Sequence, residues 1–252
     1  MDGYIICATP RTGSTLLCDL LTATGAAGAP DSYFMDNPDP AWTREWGLPD
    51  REGLSDRDHA AAHLRAAVAA GRGAGSGASA IFGLRLMRRN LGDLMALIDA
   101  VHPGLPSDRA RLQAAFGRML CIHLSRGDKL AQAVSLVRAE QTGLWHVAPD
   151  GSEVERLAPP QPPVYDFDRI ATHLARLQAE DAAWRGWFAA EGIAPLRIDY
   201  EALAADPAAV VGRILAALAL PAAARPTAGV ARMADALSAD WMRRFRADSA
   251  TR

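Results

Sequence analysis

The stretch YIICATPRTGSTLLCDLL, residues 4–21, decides the architecture. Its first five residues, Tyr4–Ala8, form a short apolar run that stops at a Pro/Gly cluster. That is the pattern of a strand buried in a parallel sheet. From Leu16 the apolar residues return at helical spacing through Leu21, and Gly25 is placed to end the helix. The intervening loop therefore joins a strand to a helix. Such a turn aims several backbone N–H groups and the positive helix end at one point, which suits phosphate or sulfate. Arg11 adds a permanent charge with a planar fork. Gly13 lets the backbone approach a ligand closely, and Thr12, Ser14 and Thr15 add hydroxyl donors. A plain helix cap at Ser14 is the competing reading, but capping alone does not need Arg11, Thr12 and Gly13 together. The nucleotide loop GxxxxGK[ST] is not matched, because no lysine follows Gly13.

Outward from this stretch, residues 26–58 are irregular and rich in Pro and Asp, with Tyr33, Phe34, Trp42 and Trp46. They predict an ordered loop with a short helical piece, and long loops of that kind are usually functional. Helix is expected over 59–70, a flexible Gly/Ser segment over 71–79, a strand over 81–87 and a helix over 91–101. A third strand over 118–124 runs into Ser125-Arg126-Gly127, and a helix over 128–141 follows, with Asp128 at its start. The polar, Pro-rich 147–163 reads as a surface excursion. A long helix over 167–191, a strand over 195–199, a helix over 208–218 and a helical tail over 233–245 complete the chain. Strands alternating with helices imply an α/β fold, one domain over 1–252 with a central, mostly parallel sheet flanked by helices. Ligands of such sheets bind beyond the carboxyl ends of the strands, where the loops after Ala8 and Leu124 fall. In the second loop, Arg126 precedes Asp128, Gln132 and Ser135, which share one helical side. That group suits a second phosphate; Arg126 alone reads equally well as a surface arginine.

The chain has 252 residues and a net charge of −2, so nothing points to a nucleic-acid partner, and a bound anion needs a local cluster of donors. The three cysteines, Cys7, Cys18 and Cys121, read as buried free thiols in a reducing compartment. No CxxC pair or His/Cys cluster has structural-zinc spacing, and no metal is expected. The N-terminus has neither signal-peptide nor anchor character and no apolar run reaches membrane-spanning length, so a cytoplasmic protein without a membrane span is expected.

Taken in order, Ala8–Leu17, Ala23-Thr24-Gly25, Gly28, Pro30 and Phe34, then Leu86-Met87 and Ile122-His123 through Arg126, resemble the bacterial trehalose 2-sulfotransferase family. So do Gln132–Ser135, Arg138-Ala139, Gln141-Thr142, Trp184-Arg185, Trp187-Phe188, Asp199-Tyr200, and Arg232 to Asp240-Trp241. Arg85 stands where that family usually has Lys. The resemblance implies a P-loop-like sulfotransferase fold, the donor 3′-phosphoadenosine 5′-phosphosulfate (PAPS), a carbohydrate acceptor and a homodimer. It implies that Arg11, Thr12, Gly13, Ser14 and Thr15 hold the 5′-phosphosulfate, and that Arg126 and Ser135 hold the 3′-phosphate. One departure concerns the base. The family's GEPQEFF-like segment is here Gly28-Ala29-Pro30-Asp31-Ser32-Tyr33-Phe34, with Ser32 at the carboxylate position proposed as the base. Asp31 is the first replacement, with Asp36 or a histidine from another loop as alternatives; Asp31 also reads as a turn residue after Pro30. The acceptor is then a trehalose-like sugar, a glycolipid or a lipopolysaccharide. Tyr33, Phe34, Trp42 and Trp46 form either a sugar-stacking wall or a cluster pinning the loop. His123 reads as a satisfied buried histidine. The rival functions are a P-loop kinase or other phosphotransferase, and a non-catalytic nucleotide-binding protein derived from a sulfotransferase.

Overall fold

Every residue of Gly3–Ala8 is buried, as expected for the middle of a sheet covered on both faces. In the computed structural model, which describes residues 1–36, 38–73, 81–222, 229 and 235–251, this segment is the first strand. The elements in chain order are β1 (Gly3–Ala8), α1 (Ser14–Ala23), α2 (Pro40–Glu45), α3 (Asp56–Gly71), β2 (Phe82–Met87), α4 (Leu91–Val101), α5 (Asp108–Phe116), β3 (Met119–Ser125), α6 (Lys129–Thr142), β4 (Leu144–Val147), β5 (Glu153–Arg156), α7 (Phe167–Ala190), β6 (Leu196–Asp199), α8 (Tyr200–Ala205), α9 (Pro207–Ala217) and α10 (Ala236–Thr251). The Gly/Ser segment read over 71–79 lies outside the described residues from 74 onward, as do Arg232 and Met233.

The main sheet is parallel, in the order β2-β1-β3-β6. Alternate residues of β1 feed opposite faces. Tyr4, Ile6 and Ala8 pack with Leu17, Leu20 and Leu21 of α1 and with Val211 and Ile214 of α9. Ile5 and Cys7 pack with Leu64 of α3, Leu94 and Ile98 of α4 and Trp184 of α7. This is the expected α/β arrangement, helices on both faces of a parallel sheet. From β1 the chain passes first to β2 on one side, then to β3 on the other, so the order reverses between β1 and β3. The loops after β1 and β3 open into the crevice at that reversal, the usual ligand position in such sheets. A third cluster joins α6, α7 and α10 through Val134, Val137, Ile170, Leu177, Trp241 and Phe245. Trp184, fully buried, donates its indole N–H to the carbonyl of Ala8 at 2.9 Å and fixes the point where β1 becomes loop.

Two elements had weak sequence signals. The helix α5 has no clean apolar face, and Ser107 starts it by accepting from the amide of Ala110. The hairpin β4–β5 begins just ahead of 147–163, with strands of four residues each and an irregular register.

Candidate functional site

The loop after β1 is built by backbone conformation and by buried support from α6. Arg11 and Gly13 both have left-handed backbone, with φ of 64° and 77°. For Arg11 this conformation is unfavourable and must be held by its surroundings. Gly13 is the N-cap of α1 and supplies no side-chain cap, so Ser14 is already helical and the leading amides of α1 lack intrahelical partners. A Cβ on Gly13 would lie 2.7 Å from the Tyr200 ring, so the close approach requires glycine. Thr12 is fully buried and its hydroxyl donates to the carbonyl of Thr9 at 2.9 Å; it braces the loop from inside and faces away from the cavity. Gln132, also fully buried, donates to Thr9 Oγ1 at 2.9 Å and to the Pro10 carbonyl. Asp128 caps α6 by accepting from the amide of Ala131 at 2.8 Å. On that shared side Gln132 and Ser135 thus support the loop, while Asp128 starts the helix.

Two guanidinium groups meet there. Arg11 donates from Nε to Ser135 Oγ at 3.0 Å and from Nη1 to the Trp145 carbonyl at 2.7 Å. Arg126, from the loop after β3, donates to the carbonyl of Arg11 at 3.3 Å and lies 4.5 Å over the Tyr200 ring. Burial, and after it the charge of Arg126, pull the Arg11 pKa down to about 10. Two like charges that act on each other in a partly dry site favour an anion between them.

The third cation is Arg85 of β2. It donates from Nε to Ser32 Oγ at 2.8 Å, from Nη1 to Thr15 Oγ1 at 2.7 Å and from Nη2 to Asp31 Oδ1 at 2.8 Å. Asp31 reaches this position because residues 28–31 run beside β2. Gly28 has φ of 72° against the carbonyl of Gly71, and Asp31 accepts the amide of Arg85 at 3.0 Å. Asp31 and Ser32 are therefore brought to the anion loop through Arg85. Tyr33, Trp42 and Trp46 line the same cavity, with Tyr33 edge-on to Trp46 at 5.2 Å and Trp42 at 6.0 Å from Trp46. Phe34 does not join that wall: it is buried in the core, stacked on His63 at 5.1 Å and tilted against Phe116. His123 is buried on Asp181 at 3.2 Å, away from the cavity lining.

Sequence reasoning missed two residues, both on the β4–β5 hairpin. His146 Nε2 lies 3.1 Å from Thr15 Oγ1 and 3.3 Å from Glu155 Oε2. Burial, reinforced by Arg11 and Arg85, lowers the His146 pKa to about 3, so its ring is neutral. Burial raises the Glu155 pKa, with Arg85 and Arg11 opposing. The signal that marks this hairpin is Asp150-Gly151 between two short runs, a turn dipeptide of two-stranded ribbons. All these groups face one cavity of about 1770 Å³. Sites for a single small molecule usually span about 300–1000 Å³, so this one has room for two substrates.

Residues 3–248 match the sequence model of the family described as Stf0 sulphotransferase. The chain belongs to the Stf0 sulphotransferase family. Two curated relatives carry the name trehalose 2-sulfotransferase. That of Mycobacterium tuberculosis (strain ATCC 35801 / TMC 107 / Erdman) is 32% identical over 260 residues, covering 98% of this chain and 95% of the relative. That of Mycolicibacterium smegmatis (strain ATCC 700084 / mc(2)155) is 31% identical over 265 residues, with the same coverage. The family likeness drawn from the sequence is thus shown. In this Stf0 sulphotransferase the cavity joins the Gly13 loop, the arginines Arg11, Arg85 and Arg126, an aromatic wall, and several carboxylates, Asp19, Asp31 and Glu155 among them. No helix among the described residues is long and apolar enough to cross a membrane.

Proposed function

We propose that this sulfotransferase moves the sulfuryl group of PAPS onto a carbohydrate hydroxyl. The observation that carries the reading is the convergence of Arg11 and Arg126 on the Gly13 loop, where burial and mutual repulsion favour a polyanion. In the reaction the acceptor oxygen bonds to sulfur, the bond from sulfur to the bridging phosphate oxygen breaks, adenosine 3′,5′-bisphosphate leaves, and the hydroxyl proton passes to a base. By analogy with phosphoryl transfer, negative charge grows on the bridging oxygen. Donors fixed beforehand at that oxygen lower the barrier without reorganising, and Arg11 with the leading amides of α1 are such donors. Ser14 and Thr15 line the same floor, and Arg126 with Ser135 takes the 3′-phosphate.

The acceptor side is the wall of Tyr33, Trp42 and Trp46, whose flat faces suit a sugar ring. Both named relatives are trehalose 2-sulfotransferases, which supports a trehalose-like sugar among the acceptors considered, the others being a glycolipid and a lipopolysaccharide. The reading includes a cytoplasmic enzyme acting as a homodimer and requires no metal. The test is transfer of label from radiolabelled PAPS to trehalose and to fractionated cell glycans, read by mass spectrometry. The wild type is expected to label a glycan, and Arg11→Ala to lose about 100- to 1000-fold in turnover with an unchanged circular dichroism spectrum. Wild-type turnover in Arg11→Ala would remove the role of Arg11. Tight binding of adenosine 3′,5′-bisphosphate with no transfer to any fraction would instead mark a non-catalytic binder.

A further inference from the structure

We infer that the proton acceptor for the attacking hydroxyl is Glu155, carried into the cavity by the β4–β5 hairpin, and that His146 positions it. This rests on the sulfuryl-transfer reading above. Of the carboxylates that line the cavity, Asp19, Asp31 and Glu155 act on Arg85, and of these three Glu155 also acts on Arg11. One oxygen of Asp31, Oδ1, takes both Arg85 Nη2 at 2.8 Å and the amide of Ser32 at 2.7 Å. Those two bonds fix the carboxylate against Arg85 and the backbone of Ser32. Asp31 therefore reads as the strut that holds Arg85. Ser32 has no ionisable oxygen at neutral pH, and its hydroxyl already accepts from Arg85 Nε at 2.8 Å.

Glu155 touches an imidazole, His146, at 3.3 Å. Arg85 and Arg11 act on it as nearby charges, and Asp31 as a like charge. Burial raises its proton affinity, which brings it closer to what a base at neutral pH needs. Burial and the charges of Arg11 and Arg85 pull the His146 pKa down to about 3, which makes its ring the weaker base of the pair. A neutral ring has one N–H. Placed on Nε2, that hydrogen bonds Thr15 Oγ1 at 3.1 Å, with Glu155 Oε2 lying 3.3 Å from the same nitrogen. Thr15 Oγ1 also accepts from Arg85 Nη1 at 2.7 Å, so its own hydrogen is left for an oxygen held in the loop. The contacts Glu155–His146–Thr15 set the base one imidazole away from the loop that binds the leaving group. In the transfer step the acceptor oxygen gives its proton to Glu155 as its bond to sulfur forms. The protonated carboxyl then loses the proton to water.

The test uses the full chain, radiolabelled PAPS and the acceptor that the wild type labels, with turnover followed against pH and nucleotide affinity measured by calorimetry with adenosine 3′,5′-bisphosphate. The charged and titratable groups acting on Glu155 are His146 of β4, Arg85 of β2, Arg11 of the loop and Asp31. Glu155→Gln is expected to cut turnover by about 100-fold or more, to abolish the fall in rate on acidification, and to leave nucleotide affinity unchanged. Asp31→Asn is expected to cost less and to keep that acid limb. His146→Leu is expected to lower turnover and shift the acid limb, and His146→Gln, which keeps an N–H near the place of Nε2, to recover much of the loss. A Glu155→Gln enzyme with wild-type turnover and pH profile overturns the inference, as does loss of the acid limb in Asp31→Asn alone. A wild type that binds the nucleotide and labels nothing overturns the transferase reading, and this inference with it.

Discussion

At the scale of single residues, the loop is a set of unfavourable choices held in place by neighbours. Gly13 has left-handed backbone and a Tyr200 ring where a Cβ would go. Gly13→Ala is therefore expected to lose about 1–3 kcal/mol of stability and to weaken binding of adenosine 3′,5′-bisphosphate, measured by urea denaturation and calorimetry. Arg85 reaches three acceptors in three directions, Ser32, Thr15 and Asp31, which only a planar fork can do. Arg85→Lys keeps the charge and loses the geometry. It should lower turnover with little change in stability, and equal activity in the two enzymes would show that charge alone suffices. Arg11, Gly13, Ser14, Thr15 and Arg126 were legible from the sequence because a strand-to-helix turn dictates where they sit. Thr12 belongs to the same motif, yet its hydroxyl turns inward to Thr9, a choice made by packing that no spacing shows. Phe34 reads as an aromatic of the loop, while the structure spends it on the core. Glu155 and His146 were invisible for a different reason: the contact of His146 with Thr15 spans 131 positions, and no local pattern encodes it.

At the scale of elements, α6 is the brace of the Gly13 loop. Gln132 sits wholly inside the protein with its amide nitrogen between Thr9 Oγ1 and the Pro10 carbonyl. Replacing it by Leu removes both bonds and leaves buried acceptors without a donor, which costs about 1–3 kcal/mol. Gln132→Leu should thus unfold at lower urea and bind nucleotide less tightly, while Gln132→Glu should fail more severely because it buries a charge. The spacing of Asp128, Gln132 and Ser135 was readable as one helical side. What that side faces required the fold. Strands of six or seven residues stood out as apolar runs, and α4 was read over its observed residues. The strands β4 and β5 contain no fully buried residue, unlike the equally short β6, so no apolar run marks them and the 147–163 stretch read only as polar and Pro-rich.

For the molecule as a whole, the parallel sheet sets the site by bringing the ends of β1 and β3 together, and α7 secures that edge. Asp181 of α7 accepts from Ser125 Oγ at 2.8 Å, faces His123 Nε2 at 3.2 Å and Lys129 at 3.5 Å, and pairs with Arg185. Burial pushes its pKa up, but the hydrogen bonds from His123 and Ser125 and the charge of Lys129 outweigh it and hold the carboxyl below its usual range. A depressed carboxylate pKa contributes stability that is fully present above the unfolded value of about 3.9 and is lost as pH falls below it. Asp181→Asn should therefore cost about 3–5 kcal/mol at neutral pH and flatten the acid limb of the stability curve, measured by denaturation across pH.

The central claim is that the Gly13 loop is the seat of the nucleotide's 5′-phosphate. A crystal structure with adenosine 3′,5′-bisphosphate tests it most directly. The 5′-phosphate is expected against the leading amides of α1 with Arg11 turned onto it, and the 3′-phosphate beside Arg126. A nucleotide bound elsewhere, with Arg11 still on Ser135 and the Trp145 carbonyl, would contradict it.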